Sequence, residues 1–301
     1  DTMLRNMMTD FPEPPKSTAG SDFLMNLGLN LMSNILEQIT GQTADDLVKR
    51  KKQVSFVDFN SFEEFEKERL SFKKALSGND SVSIIAEVKK ASPSKGIIRP
   101  DFDPIDIALS YEQGGAAAIS VLTDKPFFKG DLEYLEVISK RTQLPLLRKD
   151  FIIDPYQVKE ARAYGADAVL IIVAITEGKQ LEELIHAAKE FGLDALVECY
   201  DQDDLDRINF DMVDILGVNN RDLKNFEVDV HRGISLLQQA PEETVLVSES
   251  GLSTREDLAL LQKKGIHSAL IGEYFMRQKD PGQTVKELLE QTEEEFKKQY
   301  S

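Results

Sequence analysis

The chain has 301 residues, of which 41% are hydrophobic, which is enough for one large core or two smaller ones. Its 53 acidic residues outnumber the 36 basic ones, and the formal net charge is −17. A surface this acidic repels nucleic-acid phosphates and anionic lipids, so neither nucleic acid nor a membrane surface is an expected partner. The single cysteine, Cys199, is expected to be a small strand residue rather than a catalytic thiol, in a reducing, cytoplasmic compartment.

The N-terminal part of the chain differs from the rest in composition. Residues 1–33 contain FPEPPKSTAGSD, a stretch rich in Pro, Gly and Ser that is typical of a flexible segment. The apolar residues 23–32 are interrupted by Asn and Gly and match neither a signal peptide nor a membrane span. We expect residues 1–33 to be a flexible extension. A docking arm, or a true start at Met32, are the alternatives.

Two amphipathic helices are predicted in residues 34–80, where they would cover the main domain. The apolar residues of the first share one helix face and are Ile35, Leu36, Ile39, Leu47 and Val48. The second is expected to begin at a cap formed by Asn60 or Ser61. Its apolar residues are Phe62, Phe65, Leu70 and Leu76.

After Gly78, short apolar runs alternate with amphipathic helical patterns. The eight runs are residues 83–89, 116–124, 144–150, 168–173, 195–200, 214–220, 244–250 and 268–273. Eight strands, each followed by a helix, predict an α/β fold with a single (β/α)8 TIM barrel over residues 81–290, followed by a short tail, 291–301. An open doubly wound sheet is the alternative, but the sequence lacks the Gly-rich loop that such a sheet usually carries after its first strand.

Polar residues recur at the ends of these predicted strands, where barrel enzymes have their active sites. They are Glu87, Lys89, Lys149, Glu198, Asn219, Arg221, Glu249 and Ser250. Glu87 and Lys89 share a face because side chains in a strand repeat every two residues. A single charge of this kind is equally typical of a structural ion pair. Recurrence at five strand ends indicates a catalytic cluster whose charges compensate one another and whose pKa values are shifted.

The histidines do not join this cluster. His186 and His231 fall in helical patterns, and His267 precedes the eighth strand. Neither a metal site nor a Ser-His relay is expected, so proton transfer would use lysines and carboxylates.

Two glycines indicate a phosphate site. Gly251 and Gly272 follow the seventh and eighth strands, where barrel enzymes commonly bind phosphate through backbone N–H groups. Ser253 and Glu256 match a capping box that would open the helix after the seventh strand. The sequence therefore predicts a phosphorylated ligand.

Eight motifs occur in the order that one known family carries them. They are AEVKKASPSKG, VLTDKPFFKG, LPLLRKDFIID, GADAVLIIV, LVECYD, GVNNRDL, VSESG and LIGEYFMR. Over residues 34–290 the chain resembles indole-3-glycerol phosphate synthase, a lyase of tryptophan biosynthesis. The resemblance implies a cofactor-free conversion of 1-(2-carboxyphenylamino)-1-deoxyribulose 5-phosphate to indole-3-glycerol phosphate, carbon dioxide and water.

The resemblance also implies a role for each candidate residue. Lys149 looks like the general acid of ring closure, and Glu198 like the acid/base group of the later dehydration. Lys89 would pair with the substrate carboxylate, and Glu87 would orient the lysines. We expect burial and the second lysine to lower the pKa of the acidic lysine below its ordinary value of about 10.4.

The remaining candidates would bind the substrate, in the roles that the family motifs imply. Those for the phosphate are Ser92, Ser250, Gly251 and Gly272; those for the aromatic ring are Phe128 and Leu223; those for the rest of the substrate are Asn219, Arg221 and Glu249. Glu273 stands where some family members have a small hydroxyl residue, which a phosphate held by backbone N–H would tolerate if the carboxylate points away.

Two other functions are open to a barrel of this kind. A barrel enzyme like phosphoribosylanthranilate isomerase would not explain the set of Glu87, Lys89, Lys149 and Glu198. A non-catalytic barrel that binds a phosphorylated metabolite and docks to a pathway enzyme would be indicated by loss of Lys149 or Glu198, and both are present. The protein is expected to be a monomer or a weak homo-oligomer, with another pathway enzyme as a candidate partner.

Overall fold

The computed structural model describes residues 20–78, 81–221 and 227–300. Eight parallel strands among them form a closed barrel in which each strand pairs with its neighbours in sequence, and the last pairs with the first. They are β1 Ser83–Val88, β2 Ala118–Leu122, β3 Leu146–Lys149, β4 Ala168–Ile172, β5 Asp194–Cys199, β6 Ile215–Asn219, β7 Val245–Glu249 and β8 Ser268–Ile271. The predicted TIM barrel is confirmed, and only β5 begins outside its predicted run, by one residue.

Helices precede the barrel and alternate with its strands. They are α1 Gly20–Gln53, α2 Phe72–Leu76, α3 Pro104–Gln113, α4 Lys125–Phe128, α5 Leu132–Ser139, α6 Pro155–Ala163, α7 Gln180–Glu190, α8 Gln202–Leu205, α9 Val230–Leu237, α10 Arg255–Lys263, α11 Glu273–Met276 and α12 Pro281–Tyr300. Short 3-10 helices span Asp58–Ser61, Val173–Ile175 and Phe210–Met212. Among the described residues, no helix is both long and apolar enough to cross a membrane.

Local sequence explains where these helices begin. Asp103 and Asp154 each precede a proline, and their side chains accept hydrogen bonds from N–H groups of the first turns of α3 and α6. The capping box of α10 is Thr254 with Asp257. The predicted pair, Ser253 and Glu256, was wrong by one position, because the helix itself begins one residue later.

The core lies on both faces of the barrel wall. Inside the barrel, Ile85, Leu147 and Leu196 pack with residues of the other strands. Phe72 and Leu76 of α2 join this interior cluster, so α2 closes the end of the barrel at which the strands begin. The outward-facing strand residues pack against the helices in a second, larger cluster. Burial on both faces is why the strands read as continuous apolar runs.

The N-terminal region differs from its prediction in two ways. Helix α1 begins at Gly20, inside the segment expected to be a flexible extension. The predicted second helix was wrong: only α2, capped by Ser71, is helical in the stretch that was expected to run from Ser61 to Leu76. Its aromatic residues make tertiary contacts instead, and the ring centroid of Phe62 lies 5.5 Å from that of Tyr164 on the barrel side.

A buried ion network joins α1 to the barrel wall. Arg148 on β3 is fully buried and pairs with Asp150 at 2.9 Å and with Glu160 at 3.0 Å. Glu160 on α6 also pairs with Arg50 on α1, at 2.7 Å. Two cations and two carboxylates therefore compensate one another, which a buried charge requires.

Candidate active site

A cavity of about 470 Å³ opens where the barrel strands end. The predicted site residues that line it are Glu87, Lys89, Ser92, Phe128, Lys149, Glu198, Asn219, Arg221, Glu249, Ser250, Gly251 and Gly272. Leu223 lies outside the described residues. Every other predicted site residue therefore lies at one cavity, although they are spread over most of the barrel sequence.

The charged groups form three ion pairs at this cavity, one around Lys89 and two around Lys149. On β1 and just after it, Glu87 Oε1 lies 2.5 Å from Lys89 Nζ. Lys149 at the end of β3 lies 3.4 Å from Glu198 on β5 and 3.7 Å from Glu249 on β7. All three carboxylates are buried. They come from odd-numbered strands, as expected of a layer of side chains inside such a barrel.

Glycines on the even-numbered strands make room for these carboxylates. A Cβ atom on Gly272, just after β8, would lie 2.3 Å from Glu87 Oε1. A Cβ atom on Gly217 of β6 would lie 2.3 Å from Glu249 Oε1. Real Cβ atoms do not approach other atoms this closely, so each carboxylate occupies the space that a side chain on the neighbouring strand would fill.

The electrostatics of Lys149 differ from the prediction. Burial opposes its charged form, but the carboxylates of Glu198, Glu249 and Glu87 outweigh burial and raise the pKa of Lys149. The expectation of a lowered pKa was wrong because it counted Lys89 as the nearest neighbour, whereas Lys89 is paired with Glu87. Lys149 is therefore protonated near neutral pH.

The pKa of Glu249 is shifted in the direction that favours its neutral form. Burial raises its pKa well above the ordinary value, and the charge of Glu198 and a hydrogen bond to that residue raise it further, against the opposing effect of Lys149. The raised pKa favours the protonated form of Glu249 beside the Lys149 ammonium and the Glu198 carboxylate.

The loop after β7 has an unusual backbone. Ser250 and Gly251 both have positive φ angles, 71° and 77°. Gly251 is needed here for two reasons, since a Cβ atom would be strained at this φ and would lie 2.1 Å from Val228 Cγ1. At the same cavity, Ser92 lies in a two-strand hairpin, Ala91–Ser92 with Gly96–Ile97, that follows β1. Its buried hydroxyl has no hydrogen-bond partner among the described residues.

The sequence of this chain is similar to that of a known enzyme family over most of its length. The profile of the family described as indole-3-glycerol phosphate synthase matches residues 36–288. Proteins of that name from Campylobacter jejuni and Zymomonas mobilis subsp. pomaceae are 48% and 46% identical over 261 residues, covering 85% and 86% of this chain and 100% and 99% of theirs. A third, from Salinibacter ruber, is 48% identical over 257 residues and covers 85% of this chain and 95% of its own.

The chain belongs to the indole-3-glycerol phosphate synthase family. As a member it is a carboxy-lyase of tryptophan biosynthesis with a phosphorylated small-molecule substrate, which confirms the activity predicted from the motifs. A mutant tryptophan synthase alpha-subunit from Pyrococcus furiosus matches with a TM-score of 0.54 and 13% identity, over 72% of this chain and 98% of that one. At this identity it supports the barrel fold alone.

Several residues that line the cavity were not predicted from the sequence to be site residues. Ile35, Leu36 and Ile39 of α1 form an apolar wall. Their shared helix face was visible in the sequence, but nothing in the pattern showed that it covers the site rather than the barrel wall. Phe151 joins Phe128 in a ring contact with 6.1 Å between centroids. The aromatic pocket predicted from Phe128 and Leu223 therefore has further apolar sides, while Leu223 itself lies outside the described residues.

Phe128 is placed by a short capped helix. The buried carboxylate of Asp124 accepts hydrogen bonds from the N–H groups of Phe127, at 2.8 Å, and Phe128, at 3.0 Å. Burial raises the pKa of Asp124 to about 6, with a contribution from nearby Asp150 against the lowering effect of those hydrogen bonds. The orientation of α4 therefore depends on one carboxylate.

The two remaining expectations concern Glu273 and Cys199. The Glu273 carboxylate lies 2.9 Å from Arg277 Nη2 and 4.0 Å from Arg221, so it is neutralised by arginines at the rim of the cavity. Cys199 is buried in β5, and burial raises the pKa of its thiol, as expected of a structural strand residue.

Proposed function

We propose that this cavity binds 1-(2-carboxyphenylamino)-1-deoxyribulose 5-phosphate and converts it to indole-3-glycerol phosphate without a cofactor. The observation that carries the proposal is the position of Lys149, 3.4 Å from Glu198 and 3.7 Å from Glu249 in the cavity where the strands end. An amine and a carboxylate in contact supply the acid and the base that ring closure and dehydration need.

Ring closure forms a carbon–carbon bond between the aromatic ring and the ketone carbon of the substrate. The electron pair of the ketone bond moves to the oxygen, which takes a proton from the Lys149 ammonium. The raised pKa of Lys149 keeps that proton in place until it is needed. An alkoxide is far more basic than an amine, so the transfer remains favourable, and the positive charge stabilises the developing oxyanion.

Decarboxylation follows at the ring carbon that carries the carboxylate. Lys89 pairs with this carboxylate before it leaves, and Glu87, 2.5 Å from Lys89, orients the lysine. When the carbon–carbon bond breaks, its electron pair returns to the ring system and carbon dioxide departs. Glu198 then removes a proton from the carbon beside the nitrogen and returns it to the new hydroxyl, which leaves as water and completes the indole.

Recognition of the substrate uses the residues around the rim. Ser250, Gly251, Gly272 and Ser92 hold the phosphate, and Asn219, Arg221 and Glu249 bind the groups between phosphate and ring. Phe128 provides an apolar face for the ring, and Leu223 is proposed for the same role. The cavity lining carries as many basic as acidic side chains, in a chain of net charge −17, so it repels an anionic substrate less than the rest of the protein does.

The test is turnover of the proposed substrate by the purified full chain in the presence of a metal chelator and without any nucleotide. We expect indole fluorescence to appear in proportion to enzyme concentration. No turnover under these conditions would refute the proposed reaction. Phosphoribosylanthranilate serves as the comparison substrate, and its isomerisation instead would favour the alternative barrel enzyme.

We further propose a cytoplasmic location and a monomer or weak homo-oligomer, with another pathway enzyme as a candidate partner. The acidic surface supports a monomer or weak homo-oligomer, because like-charged molecules repel one another at low ionic strength. Light scattering of the purified chain measures the oligomeric state, and a stable dimer at micromolar concentration would contradict it. Residues 20–33 belong to helix α1, and for residues 1–19, which lie outside the described residues, the flexible extension stays a prediction.

A further inference from the structure

The residue after Asn219 faces away from the cavity and joins two strand ends. Asn220 is fully buried, and its side-chain amide Nδ2 donates hydrogen bonds to Ser248 Oγ at 2.9 Å and to the carbonyl oxygen of Ser250 at 3.0 Å. Its backbone N–H donates to the carbonyl of Glu249 at 2.8 Å, and its own carbonyl accepts from the N–H of Asp229 at 3.0 Å. Asn220 therefore ties the end of β6 to three successive positions around the end of β7.

The Asn220 side chain has little freedom to move. A Cβ atom on Gly233 of α9 would lie 1.9 Å from Asn220 Oδ1, so the amide is packed directly against the helix backbone. Oδ1 has no hydrogen-bond partner among the described residues. The orientation of the amide is therefore set by its two donor bonds, to Ser248 and Ser250, and by the close contact with Gly233.

The bond to Ser250 acts on a strained position. Ser250 is one of two residues other than glycine that have a positive φ angle in the described part of the chain. Such a conformation persists only where the surroundings hold it, and it occurs often at ligand-binding sites. The buried amide of Asn220 holds the Ser250 carbonyl, and this carbonyl belongs to the same peptide unit as the N–H of Gly251. Asn220 therefore fixes the direction in which that N–H points.

We propose that Asn220 is a positioning residue that holds the Ser250–Gly251 loop in its phosphate-binding conformation. It acts through the Ser250 carbonyl and touches no substrate atom. This inference rests on the phosphate subsite proposed above. The reacting end of the cavity, with Lys149 and Glu198, lies on β3 and β5, so a change at Asn220 acts on binding of the phosphate and leaves the proton-transfer groups in place.

The experiment measures KM, kcat and competitive inhibition by inorganic phosphate for three variants of the full chain. N220D keeps the size of the side chain but replaces the donor amide by a carboxyl group. N220A removes the side chain. S248A is the matched control, because it removes the other acceptor of the amide and leaves the bond to Ser250. Thermal unfolding of each variant is followed in parallel.

For N220D and N220A we expect KM and the inhibition constant of phosphate to rise about tenfold, with kcat within about threefold of the original, since one directed hydrogen bond holds the loop. S248A should bind phosphate nearly as well as the original chain. In N220D, lowering the pH protonates the carboxyl group and restores a donor. Its phosphate affinity relative to the original chain should therefore recover as pH falls from 8 to 5, which a merely structural role would not produce.

The outcomes separate this inference from the proposal on which it rests. If phosphate does not compete with substrate in the original chain, the phosphate subsite itself is wrong. If phosphate competes and folded N220D binds it as well as the original chain at pH 8, the positioning role is overturned. Equal losses in kcat and in phosphate affinity also overturn it, because they indicate a general structural effect. If N220A does not fold, N220D alone decides between these results.

Discussion

Substituting Gly272→Ala tests whether the position of the Glu87 carboxylate matters for catalysis. The added Cβ atom would lie 2.3 Å from Glu87 Oε1 and 3.0 Å from Glu87 Cβ, whereas ordinary contacts begin at 3.4 Å. The φ angle of Gly272 is −124°, so alanine causes no strain in φ at this position and the conflict falls on Glu87. The carboxylate must move by about 1 Å, which separates it from Lys89.

The expected magnitude follows from that displacement. Overpacking of this size costs about 1–3 kcal/mol, and a misplacement of about 1 Å at a catalytic group lowers the rate by about 100-fold. We therefore expect kcat/KM for indole formation to fall about 10- to 100-fold, with a decrease in melting temperature of a few degrees. Gly41→Ala is the control, because a Cβ atom there meets nothing within 4 Å, and alanine should stabilise α1 without changing activity.

A double-mutant cycle identifies the route of the effect. If the alanine acts through Glu87, then Gly272→Ala should cost little in a chain that already carries Glu87→Ala, because the clashing carboxylate is gone. Full activity of the single Gly272→Ala variant would refute the reasoning. So would an equal loss of activity with and without Glu87, since the substitution would then act at another group.

Three further predictions concern proton transfer, pH and the N-terminus. Lys149→Met should lower kcat by about 100- to 10,000-fold while the inhibition constant of phosphate stays within about threefold, and equal losses in both would contradict the general-acid role. The raised pKa of Glu249 means that this carboxyl group binds its proton more tightly in the folded chain than in the unfolded chain. Its contribution to stability is therefore complete below pH 4.5, the ordinary pKa of this group in the unfolded chain, and is lost as the pH rises. Glu249→Gln should remove that loss. The free energy of unfolding in urea of this variant, relative to the original chain, should therefore increase from pH 5 to pH 8 by up to about 1.4 kcal/mol per pH unit. If the difference in unfolding free energy between the two chains does not change with pH, Glu249 is ionised throughout this range. Deleting residues 1–33 should leave kcat/KM within about threefold, since the described cavity residues of α1 begin at Ile35, and a large loss would make the extension part of the enzyme.

The barrel was predictable because its strands are buried on both faces and its helices begin at strong local signals. The Asp-Pro pairs that open α3 and α6 are examples, since both the cap and the first turn are set by adjacent residues. The segment before α2 was not predictable in the same way. Phe59 and Phe62 have helix-like spacing, but they pack against Tyr156 and Tyr164 of the barrel, so tertiary contacts decide their conformation.

The convergence of these residues on one cavity was predictable, but their electrostatics were not. Strand ends in a barrel must meet, so Glu87, Lys149 and Glu198 could be assigned to one cavity from their positions in the chain. The sign of the pKa shift at Lys149 depends on which charges lie nearest, and that is decided by register and by rotamers. Asn220 was missed for a related reason: beside Asn219 in the sequence, it points to the other side of the strand.

The close contacts of Gly217 and Gly272 show how the barrel accommodates two of its buried carboxylates, those of Glu249 and Glu87. Each glycine lies beside an odd-numbered strand whose carboxylate would collide with any side chain at that position. At these two places a side chain on the even-numbered strand and the carboxylate cannot fill the same space. Gly217→Ala should therefore displace Glu249 as Gly272→Ala displaces Glu87. Because Glu249 lies against Lys149 and Glu87 against Lys89, the two substitutions should affect different steps, and single-turnover kinetics would separate a slowed ring closure from a slowed decarboxylation.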